Sequence, residues 1–269
     1  MFGGKVIFNN ANFTYVVMVV NSLINQIKLC TGVVVGPTIA ITAAHCILEK
    51  VEDAVVPGNV TLYTQKDFKR YLKMTASRIF VHPNYTIDET SDIAVVHVKK
   101  TFDATILPMA DSPFDGPEYC LLAGYGMRGQ HTKGIPQLSV ISNVETFDKK
   151  ACKHVSKIGN VVCVPSYGPV GPCTGDSGGP LVCNNVLRAI LSRGVTLGEG
   201  CGTKVFSIMM YEDFYEHKDW LIEKSRSLGI SGTPSEETET SQDTSSQGYS
   251  SNSPQTFYIL LTTLLFGAF

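Results

Sequence analysis

The run Cys173-Thr174-Gly175-Asp176-Ser177-Gly178-Gly179-Pro180-Leu181-Val182 sets one serine among glycines, directly before an apolar segment. Glycines on both sides of a serine permit a sharp turn that exposes the hydroxyl and aims nearby backbone N–H groups at one point. Alone, the run is also compatible with a tight structural turn. Two upstream segments decide between these readings: Thr42-Ala43-Ala44-His45-Cys46 and Ser91-Asp92-Ile93-Ala94-Val95-Val96. A serine hydroxyl is a poor nucleophile unless a base lies within hydrogen-bond reach. Histidine, with an ordinary pKa of about 6.5, can take that proton and return it. A carboxylate can hold the imidazole in one tautomer and stabilise its charged form.

Around these segments the chain reads as short β runs. Val16–Val20, Val33–Val35, Ile39–Thr42, Ile93–Val98, Val161–Val164 and Ala189–Leu191 are β-branched or apolar, with turn signals such as Gly36-Pro37, Pro57-Gly58-Asn59 and Asp115-Gly116-Pro117 between them. Many short strands with such punctuation indicate a β-barrel or sandwich. Asp213–Leu228 departs from that pattern, with mostly helical spacing and a Gly229 stop, and is expected to be a helix packing Trp220 onto the domain. The 269 residues carry 22 Lys+Arg against 24 Asp+Glu, a net charge of −2, with no concentrated basic face to receive nucleic acid. The 8 cysteines include no CxxC pair, which favours disulfides over zinc and implies an oxidising compartment.

The three segments, in the order His45, Asp92, Ser177, closely resemble the chymotrypsin-like (trypsin-like) serine peptidase family. The resemblance runs from residue 1 to about 228. It implies an all-β fold of two six-stranded antiparallel Greek-key β-barrels with the active site between them, plus a C-terminal helix. It further implies catalytic roles for His45, Asp92 and Ser177, and an oxyanion hole made by the N–H groups of Gly175 and Ser177. The pairing it implies is Cys30–Cys46, Cys120–Cys183, Cys152–Cys163 and Cys173–Cys201. Gly124-Tyr125-Gly126 matches the family's Gly-Trp-Gly. The expected activity is endopeptidase cleavage through an acyl-enzyme. The partners are a protein or peptide substrate and protein inhibitors, with no cofactor. The alternative is a catalytically weak homologue that binds proteins.

The chain departs from the family in two places. Relatives carry an Ile-Val-Gly-Gly terminus whose ammonium pairs with the Asp before the serine; here Met1-Phe2-Gly3-Gly4 stands at the matching distance, so Met1 or Phe2 is expected to reach Asp176. The position where trypsin-like members hold a carboxylate is Gly171, followed by Pro172, so cleavage after Lys or Arg is not expected. Ser192-Arg193-Gly194 matches the segment that pairs with substrate backbone. Lys204, aligned to the pocket floor, favours an acidic P1 residue; a neutral pocket with Lys204 turned to solvent favours an apolar one. No metal is expected: the stretch Leu62–Arg70, where some relatives bind calcium, offers Asp67 beside Lys66, Lys69 and Arg70.

The chain divides into three parts. Residues 1–229 form the peptidase domain. Residues 230–255 are a Ser/Thr-rich stalk, with 12 Ser/Thr in Ser231–Gln255, too polar to offset its ordering entropy and therefore expected to be disordered. Residues 256–269 are an apolar tail short of the roughly 20 residues a membrane helix needs, and match a glycolipid-anchor signal, an expected membrane tether. Met1-Phe2-Gly3-Gly4 lacks a charged n-region and apolar h-region, so an upstream segment is expected. Sequons at Asn12, Asn59 and Asn84 fit a glycosylated, extracellular and surface-anchored or secreted monomer.

Overall fold

The computed structural model describes residues 1–9, 11–23, 26–51, 54–67, 70–86, 90–129, 135–156, 160–196, 201–202 and 206–229. The first half of the chain contains β1 (Lys5–Val6), β2 (Val16–Ser22), β3 (Ile27–Gly36), β4 (Ile39–Thr42), α1 (Ala44–Ile47), β5 (Leu48–Val51), β6 (Ala54–Pro57), β7 (Asn59–Asp67), β8 (Arg70–Val81) and β9 (Ala94–Val98). The second contains β10 (Tyr119–Gly124), β11 (Ser139–Glu145), α2 (Lys149–Val155), β12 (Val161–Ser166), β13 (Pro180–Cys183), β14 (Val186–Thr196), β15 (Ser207–Asp213) and α3 (Lys218–Ser227).

Strands β2-β3-β4-β9-β8-β7 close into a six-stranded barrel, with the β5-β6 hairpin outside it. The second sheet has seven strands, in the order β1-β11-β10-β13-β14-β15-β12. Its six C-terminal strands follow the same cyclic order as the first barrel, a Greek key, opened between β11 and β12, which approach without a ladder. Two antiparallel barrel-like sheets therefore stand side by side, the second widened by the two-residue β1.

The burial pattern explains why the early strands read as unbroken apolar runs. In β2, Val17 and Val19 fill the first barrel while Val16 and Met18 face a cluster shared with the second sheet. In β9, Val96 and Val98 point inward and Val95 points to the same shared cluster, with Tyr125, Leu138, Ile190 and Phe214. Alternation persists, but both faces are buried, so polarity does not alternate with it. At about 25 cal/mol per Å² of buried apolar area, burial on both faces stabilises such a strand more than burial on one.

Helix α3 starts five residues later than the periodicity predicts. Asp213 still belongs to β15, paired with Ala189, and Phe214 N–H donates to Arg188 O at 3.0 Å. The ladder outcompetes an early helical start at Asp213, and His217 becomes the N-cap without capping by its side chain. Trp220 and Leu221 are buried as expected. The long strands β7 and β8 were not legible from composition: Thr61 and Gln65 of β7 are polar though buried, and the exposed residues of β8 break up its apolar signal.

Asp213 is buried, and burial pushes its carboxyl up to about 6, against the opposing pull of the Tyr215 N–H bond and of Arg188. The folded state therefore holds this proton more tightly than the unfolded chain, and stability falls as pH rises from about 4 to about 6. Asp213→Asn keeps the acceptor and removes the charge. Thermal unfolding should show a gain of order 1–3 kcal/mol at about pH 7.5 that disappears near pH 4.

Candidate active site

The β4–β9 ladder pairs Thr42 with Ala94, so the residues just beyond these ends meet. His45 lies in the single turn α1 that follows β4, and Asp92 lies in the loop that enters β9. The disulfide Cys30–Cys46 ties that turn to β3. His45 Nδ1 stands 2.6 Å from Asp92 Oδ2, and the His45 backbone N–H donates to Asp92 Oδ1 at 2.8 Å. The hydroxyl of Ser192, from β14 in the other sheet, donates to Asp92 Oδ2 at 2.7 Å. Burial drives the Asp92 carboxyl upward, yet the bonds from His45 and Ser192 outweigh it and hold it below the ordinary carboxylate range.

Ser177 sits across the cleft, on the loop that enters β13. Its carbonyl accepts from Thr31 N–H at 2.9 Å, and Thr31 Oγ1–H donates to Gly175 O at 2.8 Å. Thr31, buried in β3, thus fastens the serine loop to the first barrel. Sequence reasoning missed it; the available signal was a polar residue inside an apolar strand. Gly178 has φ +79, and a Cβ there would stand 2.2 Å from Thr31 O, so no other residue fits the turn. The N–H groups of Asp176, Gly178 and Gly179 are spent on Cys173, Leu191 and Asp176 carbonyls. Among the described residues those of Gly175 and Ser177 have no protein acceptor, and both residues line a depression with His45 and Leu29. No bond joins Ser177 Oγ to His45 Nε2 among the described residues. Cys46 Sγ lies 3.7 Å from both His45 Nε2 and the Ser177 carbonyl, so the two segments meet at one sulfur. Catalytic hydrogen bonds in free enzymes are commonly long and tighten with substrate. The arrangement can deliver a base-activated hydroxyl to a carbonyl carbon and two N–H donors to its oxygen.

Met1, not Phe2, reaches Asp176. Its ammonium lies 2.9 Å from Asp176 Oδ2 and also donates to Gly126 O at 3.1 Å, with both residues buried. Phe2 instead exchanges two backbone bonds with Gly171. Burial pushes the Asp176 carboxyl up; the ammonium and the N–H groups of Cys173 and Gly126 oppose it. A Cβ at Gly124 or Gly126 would come within 2.1 or 2.4 Å of this carboxylate, which is the reason for the two glycines of Gly124-Tyr125-Gly126.

The pocket beside Ser177 has a volume of about 300 Å³. Gly171, Pro172, Val170, Gly194 and Met209 are among its walls. Lys204 lies outside the described residues. Opposite Gly194 in the ladder stands Met209, whose Sδ would be 2.5 Å from a Cβ at Gly194. Sequence alignment overlooked Met209, because the rearranged loop before it hides the register. Arg193 turns toward Glu212, with Nη2 3.8 Å from Oε1. The four disulfides are Cys30–Cys46, Cys120–Cys183, Cys152–Cys163 and Cys173–Cys201, the last joining the serine loop to the pocket wall. The groupings with metal-ligand spacing, Cys30-His45-Cys46 and Glu118-Cys120-Cys183, have their sulfurs in these bonds and offer no thiolate. The side chains of Lys66, Asp67 and Lys69 lie outside the described residues. Asn12, Asn59 and Asn84 are exposed.

The Met1–Asp176 pair yields a direct test. Acetylating the amino group leaves a buried carboxylate without its counter-charge, a cost of about 3–5 kcal/mol for a broken buried pair. Amide exchange at residues 174–178 should accelerate in the acetylated protein, and peptide hydrolysis should fall by roughly 100-fold or more. Equal exchange and hydrolysis rates would show that the pair does not hold the loop.

A family model described as Trypsin matches residues 4–221 of this chain. Serine protease 28 of Mus musculus is 30% identical over 207 residues, covering 68% of this chain and 73% of that protein. Trypsin II-P29 of Gallus gallus is 26% identical over 211 residues, covering 75% and 82% respectively. The fold matches the solved structure of neuropsin, a serine protease expressed in the limbic system of mouse brain, with a TM-score of 0.65 at 19% identity over 83% of this chain and 99% of that one. A histidine–carboxylate pair facing a glycine-bound serine across two Greek-key sheets is thus joined by a family match along most of the chain, which belongs to the trypsin family of serine endopeptidases.

Proposed function

We propose that the chain hydrolyses peptide bonds with Ser177 as nucleophile, His45 as general base and then acid, and Asp92 as the carboxylate that orients the imidazole. The observation that carries this reading is the 2.6 Å His45–Asp92 contact at the same cleft as Ser177. Ser177 Oγ attacks the carbonyl carbon while its proton passes to His45 Nε2. The N–H groups of Gly175 and Ser177 receive the oxyanion, each such donor being worth about 3 kcal/mol in the transition state. His45 returns the proton to the leaving amine, and water repeats the sequence on the acyl-enzyme. The Met1–Asp176 pair keeps the loop in the conformation that leaves these donors open.

For P1 we propose a small or medium apolar residue. Gly171 and Pro172 supply no carboxylate, and Met209 shortens the pocket opposite Gly194. The backbone of Ser192-Arg193-Gly194 would pair with substrate as an added strand. The four disulfides and the exposed sequon residues Asn12, Asn59 and Asn84 support an extracellular, glycosylated enzyme. The polar run 230–255 and apolar tail 256–269 lie outside the described residues; their composition supports a stalk and a glycolipid tether. Among the described residues no helix is long and apolar enough to cross a membrane.

A fluorophosphonate probe should label the wild type and fail to label Ser177→Ala, and an unlabelled wild type would favour the protein-binding alternative. A peptide library profiled with wild type and Met209→Gly tests the pocket. The kcat/KM ratio for Phe over Ala at P1 should rise roughly tenfold or more in the variant. An acidic P1 preference in the wild type would return the pocket to Lys204.

A further inference from the structure

Glu212 is a fully buried carboxylate near the C-terminal end of β15, and the catalytic reading assigns it nothing. Its Oε1 accepts the backbone N–H of Asp92 at 3.1 Å. Its Oε2 accepts from His217 Nε2 at 2.9 Å, which explains why the N-cap of α3 leaves its own helix uncapped. Arg193 supplies the remaining charge, with Nη2 at 3.8 Å, while Arg193 Nε donates to Ser192 Oγ at 3.3 Å. Ser192 Oγ in turn donates to the Asp92 side chain. The contacts close a ring: Asp92 carboxylate, Ser192, Arg193, Glu212, Asp92 N–H.

The ring meets the chain at a strained point. Ser91, immediately before Asp92, has φ 50, a left-handed conformation that strains a non-glycine residue unless its surroundings hold it. An isolated buried carboxylate costs several kcal/mol, and an apolar residue would fill a strand interior without that cost. Here the carboxylate reaches across from the second sheet to the N–H of the residue that orients the imidazole.

We propose that Glu212 is a positioning residue for catalysis, held by Arg193 and His217, which anchors the strained turn at Ser91–Asp92 and so fixes the Asp92 carboxylate against His45. This rests on Ser177, His45 and Asp92 acting as the catalytic triad. Misplacement of a catalytic group by about 1 Å can cost roughly 100-fold in rate. Neither Glu212 nor His217 lines the pocket beside Ser177, so the His217 variants are expected to act on kcat rather than KM.

The test uses His217→Leu, His217→Gln, Glu212→Gln and the double variant His217→Leu/Glu212→Gln. Turnover of one peptide substrate is measured per active site titrated with the fluorophosphonate, so unfolded protein is not counted. His217→Leu should lower kcat roughly tenfold or more with KM within about twofold, and His217→Gln, which keeps an N–H donor, should restore most of it. Glu212→Gln keeps both the size and an acceptor, and the double variant should be no slower than the slower single one, as expected for residues acting through one link. Full kcat in His217→Leu, or losses that multiply in the double variant, would overturn the positioning role. If the wild type itself turns over no peptide, the triad reading fails as well; an active wild type with indifferent variants overturns the positioning role alone.

Discussion

A carboxylate removed from water must find its counter-charge, and Asp176 meets that requirement with the Met1 ammonium. Much of the second sheet is arranged around this need. The loop Cys173–Gly179 folds back so that Cys173 and Gly126 donate to the carboxylate. Gly124 and Gly126, on either side of Tyr125, lack the side chains that would collide with it. The terminal segment is drawn in beside Gly171 by two backbone bonds, and the Met1 side chain enters the core with Phe114, Leu181 and Tyr211. The turn that presents Ser177 is the visible outcome of this electrostatic constraint.

The groups of the proposed triad are divided between the sheets, and buried hydrogen bonds stitch the two halves together. His45 and Asp92 come from the first barrel, where one antiparallel ladder sets them side by side. Ser177 comes from the second. Thr31 reaches from the first barrel to the serine loop, while Ser192 and Glu212 reach from the second to Asp92. Each stitch is a buried hydrogen bond to a segment that carries a proposed catalytic residue. In a low-dielectric interface such bonds are strong when made and costly when broken, so they fix geometry more tightly than apolar contact alone. The shared cluster of Tyr15, Val95, Tyr125, Ile190 and Phe214 supplies the dry surroundings.

The His45, Asp92 and Ser177 contexts could be read directly because their chemistry is encoded in short contiguous strings. So could the strands of the first barrel with both faces buried, whose apolar runs are uninterrupted. What escaped were features set by pairing between distant strands. Asp213 looked like a helix start because its neighbours have helical spacing, but the ladder with Ala189 claimed it. Met209 became a pocket wall through its register against Gly194, and the intervening loop concealed that register. Glu212 lies in a run of mixed residues near the end of the domain, where no local pattern marks it as buried. Its burial is visible only once β12 and β14 flank it.

By itself the sequence determined the family and the candidate chemistry: Ser177, His45 and Asp92 as proposed nucleophile, base and orienting carboxylate, a pool of cysteines sufficient for four bridges, and Gly171 where trypsin-like members hold a carboxylate. It could do so because these properties depend on residue type and on neighbours close along the chain. Tertiary structure alone decided that Met1 supplies the buried ammonium and that Thr31 and Glu212 hold the two halves of the site. It also set Met209, rather than a residue earlier in the chain, against Gly194. The physical reason is the same in each case. Burial, counter-charge and strand register are relations between segments separated by many residues, and no local pattern carries them.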